Sequence, residues 1–462
     1  MKVLLKLTNV AVYAGETCLL EPISLELIQD QPLTILGQTG SGKSLLAQAI
    51  MGLLPEALSV SGEIEVFGKV MTIKERRALW GRVLVMLPQE PWHALNPLMK
   101  GVDQVKEVYQ CVLGESRQEA LAFTHQDLLQ VGLDDSAHKR PDQLSGGMAQ
   151  RLAIVAATAG GANMILADEP TKGLDVSRRD GIVRMLQSRS DLGSLLTITH
   201  DVVVARQLGG KLLVMKEGRV VEEGEALLLL NNPQACYTRD LIAAEPSAWP
   251  EIAPTSRRSA AEDVLVVDQL AIARGNRTLF NGVSFSIKKG AVVGIVGDSG
   301  CGKSSLGDAL LNLLPISAGS ITRLNHDAKP HQWLKLYQDP PSAFSSSVSL
   351  GQLLDDLVVL HDIDKSRVAP LLDRLKLPNG ILERNCLSVS GGELQRFAIL
   401  RALLLDPVFL FADEPTSRLD PITAKEVTTL LVELASEANC AVLLVSHDAA
   451  LIRKTCHKTI CL

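Results

Sequence analysis

The stretch Gly37-Gln38-Thr39-Gly40-Ser41-Gly42-Lys43-Ser44 lies between an apolar run at residues 32–36 and a helical pattern that begins at Leu45. Its spacing, G-x-x-x-x-G-K-S, is typical of a phosphate-binding loop. Glycines let backbone N–H groups surround a phosphate, the lysine reaches the β and γ oxygens, and the hydroxyl binds Mg²⁺. The helix N-terminus adds positive potential. The predicted ATP-binding residues are Gly37, Gly40, Ser41, Gly42, Lys43 and Ser44, with Ser44 also a Mg²⁺ ligand.

The same pattern recurs in the second half as Gly297-Asp298-Ser299-Gly300-Cys301-Gly302-Lys303-Ser304. The loop lysines and the prolines that close the following helical patterns, Pro55 and Pro315, repeat at one offset of 260 residues. This duplication predicts two ATP-binding domains, at 1–242 and 263–462, joined by a Pro-rich linker at 243–262. The predicted ATP-binding residues of the second loop are Gly297, Gly300, Cys301, Gly302, Lys303 and Ser304, with Ser304 also a Mg²⁺ ligand.

The composition narrows the possible classes of protein. The 462 residues carry a net charge of −6, which gives no electrostatic case for binding nucleic acid or anionic lipid. No apolar run of about 18 residues occurs, so no membrane-spanning helix is predicted. The eight cysteines include no C-x-x-C pair, which argues against zinc, an iron–sulfur cluster and a disulfide framework. We interpret the chain as cytoplasmic.

A glutamine follows a buried-strand pattern in each half. Gln89 follows residues 83–87, and Gln338 follows residues 333–337. The amide oxygen of a glutamine at a strand end can reach both Mg²⁺ and an attacking water. Because this placement recurs, we predict that Gln89 and Gln338 are catalytic residues and Mg²⁺ ligands.

One aromatic residue distinguishes the two halves. Tyr13 lies thirty residues before Lys43, where its ring can stack on adenine; the alternative is ordinary packing near a strand end. The same offset before Lys303 falls on Ala273, with Arg274 beside it. We therefore predict that Tyr13 binds ATP and that the two halves bind nucleotide unequally.

A Ser-Gly-Gly sequence opens a long helical pattern in each half. The serine hydroxyl supplies a helix cap, and the glycines leave backbone N–H groups bare, which together form a second anion-binding site. The alternative, an ordinary cap with a glycine pair, is improbable in duplicate. The residues predicted to bind ATP here are Ser145, Gly146, Gly147, Ser390, Gly391 and Gly392.

An acidic pair ends an apolar run 23 residues after each of these serines, as Asp168-Glu169 and Asp413-Glu414. We predict that Asp168 and Asp413 bind Mg²⁺ and that the glutamates orient or deprotonate the attacking water. A further apolar run leads into a histidine in each half, His200 and His447. A histidine there is usually a satisfied core residue, but both lie where parallel strands end and ligands bind. We predict that Glu169, Glu414, His200 and His447 are catalytic.

These motifs, in this order and twice over, resemble the nucleotide-binding subunits of ABC transporters. Gln89-Glu90-Pro91, Ala94-Leu95-Asn96-Pro97 and Tyr237-Thr238 resemble more narrowly the dipeptide/oligopeptide/nickel import branch, although Ala235-Cys236 stands where that branch has His-Pro. The resemblance implies two tandem α/β P-loop ATPase domains, each with a mainly parallel core sheet, an antiparallel β subdomain and a helical subdomain. It also implies ATP and Mg²⁺ as cofactors.

The resemblance further implies an arrangement and partners. The halves would pair head to tail within one chain. One composite site would hold Tyr13, Lys43, Ser44, Gln89, Asp168, Glu169 and His200 with Ser390 and Gly392, and the other Lys303, Ser304, Gln338, Asp413, Glu414 and His447 with Ser145 and Gly147. The implied partners are two membrane-spanning permease subunits and a solute-binding protein, which would place the chain peripherally on the cytoplasmic face of the inner membrane.

Three functions fit these patterns. The leading one is an ATPase that energises import of a small solute of the peptide, nickel or metal-chelate, or opine class. A soluble twin ATPase acting on ribosomes or nucleic acid is the second, but such proteins usually carry a long charged linker or a zinc insertion. The third is an accessory ATPase of a metabolic complex. Cargo identity lies in other chains.

Overall fold

The computed structural model describes residues 2–90, 94–172, 174, 176–189, 193–251, 262–275, 277–298, 300–417 and 419–462. The chain divides into two compact units, Met1–Ile242 and Ala243–Leu462. Each unit contains a largely parallel sheet, an antiparallel sheet and a set of helices, which confirms the predicted fold class. Within the described ranges, no helix is long and apolar enough to cross a membrane.

The first unit is built on two sheets. Its strands are β1 (Val3–Ala14), β2 (Thr17–Ile28), β3 (Leu33–Leu36), β4 (Leu58–Val66), β5 (Lys69–Val70), β6 (Leu84–Leu87), β7 (Met164–Asp168), β8 (Ser194–Thr199), β9 (Lys211–Lys216) and β10 (Arg219–Glu225). Strands β9-β3-β8-β7-β6 run parallel, with β10 antiparallel at one edge, and β2-β1-β4-β5 form the antiparallel sheet.

The helices of the first unit are α1 (Lys43–Met51), α2 (Ile73–Arg77), α3 (Gly101–Val108), α4 (Arg117–Gln130), α5 (Gly146–Thr158), α6 (Val176–Arg189), α7 (Val202–Leu208), α8 (Ala226–Asn231) and α9 (Cys236–Ala243). Helix α1 links the phosphate-binding loop to the core, because Leu46 and Ile50 are fully buried in the cluster that also contains Leu166 and Ile198. Helices α3, α4 and α5 share a separate apolar cluster.

The second unit repeats this plan. Its strands are β11 (Asp263–Arg274), β12 (Arg277–Lys288), β13 (Val292–Val296), β14 (Ala318–Arg323), β15 (Trp333–Leu336), β16 (Phe409–Asp413), β17 (Ala441–Val445) and β18 (Lys458–Cys461). Its helices are α10 (Lys303–Leu310), α11 (Leu350–His361), α12 (Val368–Arg374), α13 (Gly391–Leu404), α14 (Pro421–Glu437) and α15 (Ala449–Thr455). Strands β15-β16-β17-β13-β18 are parallel, and β12-β11-β14 are antiparallel. Strands β11 and β12 begin and end 260 residues after β1 and β2.

The central strands are short continuous apolar runs because helices cover both faces of a parallel sheet. Every residue of β3, β7 and β8 is buried, as is every residue of β16 and β17. Their carboxyl ends meet along one edge of each sheet, where ligands bind in folds of this kind. This topology therefore brings the loop, the acidic pair and the histidine of each unit to one edge.

The first part of the segment expected as a linker packs on the second unit. The Trp249 side chain is 2% exposed and lies in the same apolar cluster as Leu451 and Ile452 of α15. Its indole N–H donates to the Ala244 carbonyl at 2.9 Å, and the Lys425 ammonium donates to the Ala243 carbonyl at 2.8 Å. Residues 243–249 thus belong to the second unit, whereas 252–261 lie outside the described residues.

Replacing Trp249 should destabilise the second unit. Trp249→Ala empties a buried aromatic site, which typically costs about 3–5 kcal/mol in the free energy of unfolding. Scanning calorimetry measures the loss, and hydrogen exchange should show it in β17 and α15. The matched control is Trp80→Ala, because Trp80 is 38% exposed in the first unit. Equal thermal midpoints for the parent and Trp249→Ala proteins would contradict the packing role.

Candidate functional site

The first phosphate-binding loop is held by its own lysine. The Lys43 ammonium donates to the Gly37 and Gln38 carbonyls at 2.6 and 2.7 Å and lies 3.3 Å from the Ser41 hydroxyl. Gly37 cannot be replaced without movement, because an added Cβ would lie 2.2 Å from the Met215 carbonyl oxygen. Gly40 and Gly42 have φ of 84° and 93°, a backbone region that favours glycine. The loop therefore connects the carboxyl end of β3 to the start of α1 at the edge of the sheet where the parallel strands end.

The described residues of the second loop, 297–298 and 300–304, repeat these contacts. The Lys303 ammonium donates to the Gly297 and Asp298 carbonyls at 2.7 and 3.0 Å. Gly300 and Gly302 have φ of 84° and 110°. Cys301 takes the place of Ser41, and its backbone N–H donates to Asp298 just as that of Ser41 donates to Gln38. Helices α1 and α10 are each capped by a glycine without a side-chain cap, so their first N–H groups face the loop.

The strand-end aspartates contact the loop hydroxyls. The Ser44 hydroxyl lies beside the Asp168 carboxylate, and the Ser304 hydroxyl lies beside the Asp413 carboxylate. Burial raises the pKa of Asp168 although the nearby Ser44 hydroxyl opposes the shift, and burial raises the pKa of Asp413 although the Ser304 hydroxyl opposes it. The structure thus places the predicted serine and the predicted aspartate of each half next to each other.

The glutamates that follow are paired with the predicted histidines. His200 Nδ1 lies 2.8 Å from Glu169 Oε2, and His447 Nε2 lies 2.6 Å from Glu414 Oε1. Burial works against charge on both members of the first pair. The charge and hydrogen bond of each partner nevertheless outweigh it, so the pKa of Glu169 is lowered and the pKa of His200 is raised. Both shifts favour the charged forms of Glu169 and His200.

Helix caps position the histidines. Asp201 caps α7 by accepting from the Val203 and Val204 N–H groups at 2.7 and 3.2 Å, and its own N–H donates to Thr199 Oγ1 at 3.0 Å. Asp448 caps α15 with the same pattern. Since the histidine precedes this cap directly, it is held between a buried strand and a fixed helix start.

Both glutamates adopt a left-handed backbone conformation. Glu169 has φ of 50° and Glu414 has φ of 46°. Side chains other than glycine rarely adopt this region, and such strain concentrates at functional sites. The Glu169 N–H donates to the Ile198 carbonyl of β8 at 2.8 Å, which holds the turn beside the neighbouring strand. The turn directs both side chains of each acidic pair to one edge.

The two predicted glutamines are placed differently. Gln338 Nε2 donates to Glu414 Oε2 at 2.8 Å, so Glu414 lies between Gln338 and His447. Gln89 is exposed, and within the described residues no hydrogen bond joins it to Glu169. Tyr13 is half-buried near the end of β1, and within those residues no hydrogen bond or ring contact joins it to the loop. The roles of Gln89 and Tyr13 stay predictions.

The Ser-Gly-Gly residues open α5 and α13. Ser145 Oγ accepts from the Met148 N–H at 3.4 Å, and Ser390 Oγ accepts from the Glu393 N–H at 3.2 Å. Only the second cap is reciprocal, because Glu393 accepts in turn from the Ser390 N–H at 2.8 Å. In the first unit, a cavity beside Ser145 and Gly147 is lined by the cationic side chains of Arg151, Arg178 and Arg184. Each signature therefore lies at a helix N-terminus, and that of the first unit also lies beside basic side chains.

One contact to the loop was not foreseen from the sequence. The Tyr237 hydroxyl accepts a hydrogen bond from the Gln38 N–H at 2.9 Å, across 199 residues of sequence. Tyr237 lies in α9 and is 8% exposed, with the Lys216 ammonium 5.4 Å from the centre of its ring. The Tyr237-Thr238 pair carried the resemblance to one branch, but no local pattern indicated that it reaches the loop.

The donor set of the first unit fits a divalent cation. Asp168 Oδ1 is buried and has no hydrogen-bond partner among the described residues, while the Ser44 hydroxyl lies on the same carboxylate. A carboxylate beside a hydroxyl, close to a phosphate-binding loop, is the oxygen ligand set that Mg²⁺ prefers. The residues present therefore fit the predicted ion.

A family model described as ABC transporter matches residues 20–172 and 280–417, one region in each unit. The chain belongs to the ABC transporter family. Family membership establishes ATP binding and ATPase activity, and it assigns one ABC ATPase domain to each unit.

Curated ABC proteins resemble nearly the whole chain. The peptidoglycan transport ATP-binding protein YejF of Agrobacterium fabrum is 33% identical over 468 residues, covering 93% of this chain and 85% of that protein. The glutathione import ATP-binding protein GsiA of Salmonella typhi is 32% identical over 505 residues, covering 94% and 80%. Among solved structures, RNase-L Inhibitor matches 98% of this chain and 87% of its own with a TM-score of 0.66. Its 21% identity shows the fold alone.

The ion pair of this ABC ATPase gives a direct titration test. In nucleotide-free protein, His200 should titrate above the ordinary histidine pKa of about 6.5, because Glu169 stabilises its charged form. Its stabilising contribution is complete below that ordinary value and is lost as pH rises through the raised pKa. Glu169→Gln should lower the pKa, measured by NMR on histidine-labelled protein.

The other histidine resonances serve as the internal control and should not move. A His200 titration that is unaffected by Glu169→Gln would show that the two side chains do not form a charged pair.

Proposed function

We propose that this ABC ATPase energises the import of a small solute by hydrolysing ATP at both of its phosphate-binding loops. The observation that carries the proposal is the repetition of one arrangement: a loop lysine, a strand-end aspartate beside the loop serine, and a glutamate paired with a histidine. Within the peptide, metal-chelate and opine classes, we favour a peptide-like cargo, because the relatives are named for peptidoglycan and glutathione transport.

The loops and strand ends divide the work of phosphate chemistry. Lys43 and Lys303, with the first N–H groups of α1 and α10, hold the phosphates. Ser44, Asp168 and Gln89 would hold Mg²⁺ in one half, and Ser304, Asp413 and Gln338 in the other. When bound, Mg²⁺ neutralises charge on the phosphate oxygens.

The glutamates act on water. Glu169 and Glu414 accept a hydrogen bond from the attacking water and take its proton as it reacts. His200 and His447 hold these carboxylates at 2.8 and 2.6 Å, so the oxygen that receives the proton is oriented before the reaction. The turn at φ near 50° keeps each glutamate beside the loop.

Neutralising both glutamates should stop turnover while sparing binding. Glu169→Gln combined with Glu414→Gln keeps the side-chain shape but removes the group that takes the proton. ATP hydrolysis should fall at least about 100-fold, within the range of general-base catalysis, while ATP affinity is retained. The measurements are phosphate release and equilibrium nucleotide binding.

The control for that experiment is Glu56→Gln combined with Glu383→Gln, because both residues are exposed and neither lies in a motif. Its turnover should match the parent. If the Glu169 and Glu414 double variant also hydrolyses ATP at the parent rate, neither carboxylate is the base.

We further propose that the chain works peripherally on the cytoplasmic face of the inner membrane, with two permease subunits and a solute-binding protein, and that its halves act as an intramolecular pair. Two observations support this proposal. The relatives are named as ATP-binding proteins of transport systems, and the described residues of this chain contain no membrane-spanning helix. The pore would then come from other chains.

Reconstitution tests the transport role. The chain is purified with candidate permease subunits and placed in proteoliposomes. A solute-binding protein loaded with peptide should stimulate ATP hydrolysis, and labelled peptide should enter the vesicles. Liposomes with the Glu169→Gln and Glu414→Gln chain are the control and should show no uptake. Hydrolysis stimulated by ribosomes or nucleic acid instead would favour the soluble twin ATPase.

A further inference from the structure

A lysine lies beside the strand-end aspartate of the second unit. Lys335 is in β15, and its ammonium is 2.7 Å from Asp308 Oδ1 and 3.6 Å from Asp413 Oδ2. Only 11% of the Lys335 side chain is exposed, and the ammonium lies over the rings of Tyr337 and Phe411 at 5.2 and 5.6 Å. The ammonium is therefore enclosed by one aspartate from α10, a second from the end of β16, and two aromatic rings.

In the first unit, the two positions that correspond to Lys335 and Asp308 hold uncharged residues. In the parallel ladders, Lys335 pairs with Phe411 of β16 as Met86 pairs with Leu166 of β7. Asp308 lies 260 residues after Gln48, the offset shared by the loops and the first two strands. A methionine and a glutamine thus stand where the second unit has a lysine and an aspartate. Beside them, Asp168 Oδ1 is buried without a partner among the described residues.

The surrounding charge differs accordingly. Arg274 lies 3.9 Å from Asp308, at a position where the first unit has Ala14. Lys335 and Arg274 add two positive charges, and Asp308 adds one negative charge.

The first unit instead has Lys172, whose charge acts on Asp168, where the second unit has Ser417. The two units therefore differ in which residue supplies the nearby cation, and only in the second unit is that cation a buried strand lysine 3.6 Å from the aspartate. A buried ammonium close to a carboxylate compensates the negative charge of that carboxylate and repels a second cation. Both effects are stronger where water is excluded.

We propose that Lys335, positioned by Asp308, takes over part of the cation's role at Asp413, so that the second loop binds nucleotide with less dependence on Mg²⁺ than the first. This inference rests on the proposed function, because it assumes that Asp168 and Asp413 serve Mg²⁺-dependent nucleotide sites. Lys335 is a specificity-determining residue in this account. The two ATP sites of the chain are then unequal in their use of the metal.

The test compares nucleotide binding with and without Mg²⁺ in proteins that keep one competent loop. Lys43→Ala leaves the second loop, and Lys303→Ala leaves the first. ATP affinity is measured in excess Mg²⁺ and in EDTA. The ratio of the two affinities should be at least about tenfold larger for the first loop, the scale expected for one close charge in a partly buried site.

Exchanging the two side chains should exchange the behaviour. Lys335→Met with Asp308→Gln, in the Lys43→Ala chain, replaces the pair by the residues of the first unit. Its Mg²⁺ dependence should rise to that of the first loop. Lys335→Arg keeps a cation and should retain the weak dependence. Met86→Lys with Gln48→Asp, in the Lys303→Ala chain, should weaken the dependence of the first loop.

The matched control is Lys365→Met with Asp355→Asn, an exposed ion pair of the same unit at 3.4 Å, which should change nothing. Thermal unfolding verifies that each variant is folded. Equal Mg²⁺ dependence in the two single-loop proteins, or an unchanged ratio in the Lys335→Met and Asp308→Gln variant, overturns the role of Lys335. Absence of nucleotide binding in both single-loop proteins instead overturns the proposed function.

Discussion

Negative charge buried at the ends of two central strands is the constraint on which each site depends. Asp168 ends a strand whose residues are all buried and Glu169 follows it directly, and an isolated carboxylate there is costly. Each therefore needs a partner from another element. Glu169 has His200 at 2.8 Å, and Asp168 has the Ser44 hydroxyl. These two contacts oblige the loop, the acidic strand and the histidine strand to end at one edge of the sheet, which is also the edge that parallel topology offers to ligands.

The same constraint accounts for the strained glutamates. A left-handed backbone at a residue other than glycine costs on the order of 1–3 kcal/mol and persists only where surrounding contacts impose it. In the first unit those contacts are the Glu169–His200 ion pair and the bond from the Glu169 N–H to Ile198. In the second unit Gln338 adds a further bond to Glu414. Since φ is 50° in one unit and 46° in the other, the turn is a property of the acidic pair and of its place in the sheet, while the partners differ in detail.

Sequence reasoning succeeded where a local pattern carries the structure and fell short where distant residues meet. The loops and the buried strands are local, so residue type and spacing were sufficient to predict the fold class. The contact between Tyr237 and Gln38 spans 199 residues, and Trp249 lies in a proline-containing segment that reads as a linker. Nothing in the spacing shows that Trp249 fills a core, because burial there depends on α15, which is some 200 residues further along. The contacts of Lys335 could not be predicted either, since a single lysine in an apolar run usually marks a solvent-facing position on an edge strand.

Lys335 and Asp308 are physically intelligible only as a pair. Lys335 without Asp308 would leave an ammonium enclosed by aromatic rings, with Asp413 as its close anion. Asp413 would then pair with Lys335 and be less able to bind a metal ion. Asp308 without Lys335 would add a second carboxylate beside Asp413 and raise the cost of burying both. Together they form a 2.7 Å contact that compensates each charge and leaves the ammonium 3.6 Å from Asp413. A buried ion pair of this kind is weak evidence for added stability. The pair acts instead through its electric field at Asp413. The counterpart of Asp413 in the first unit, Asp168, retains a buried oxygen suited to a divalent cation.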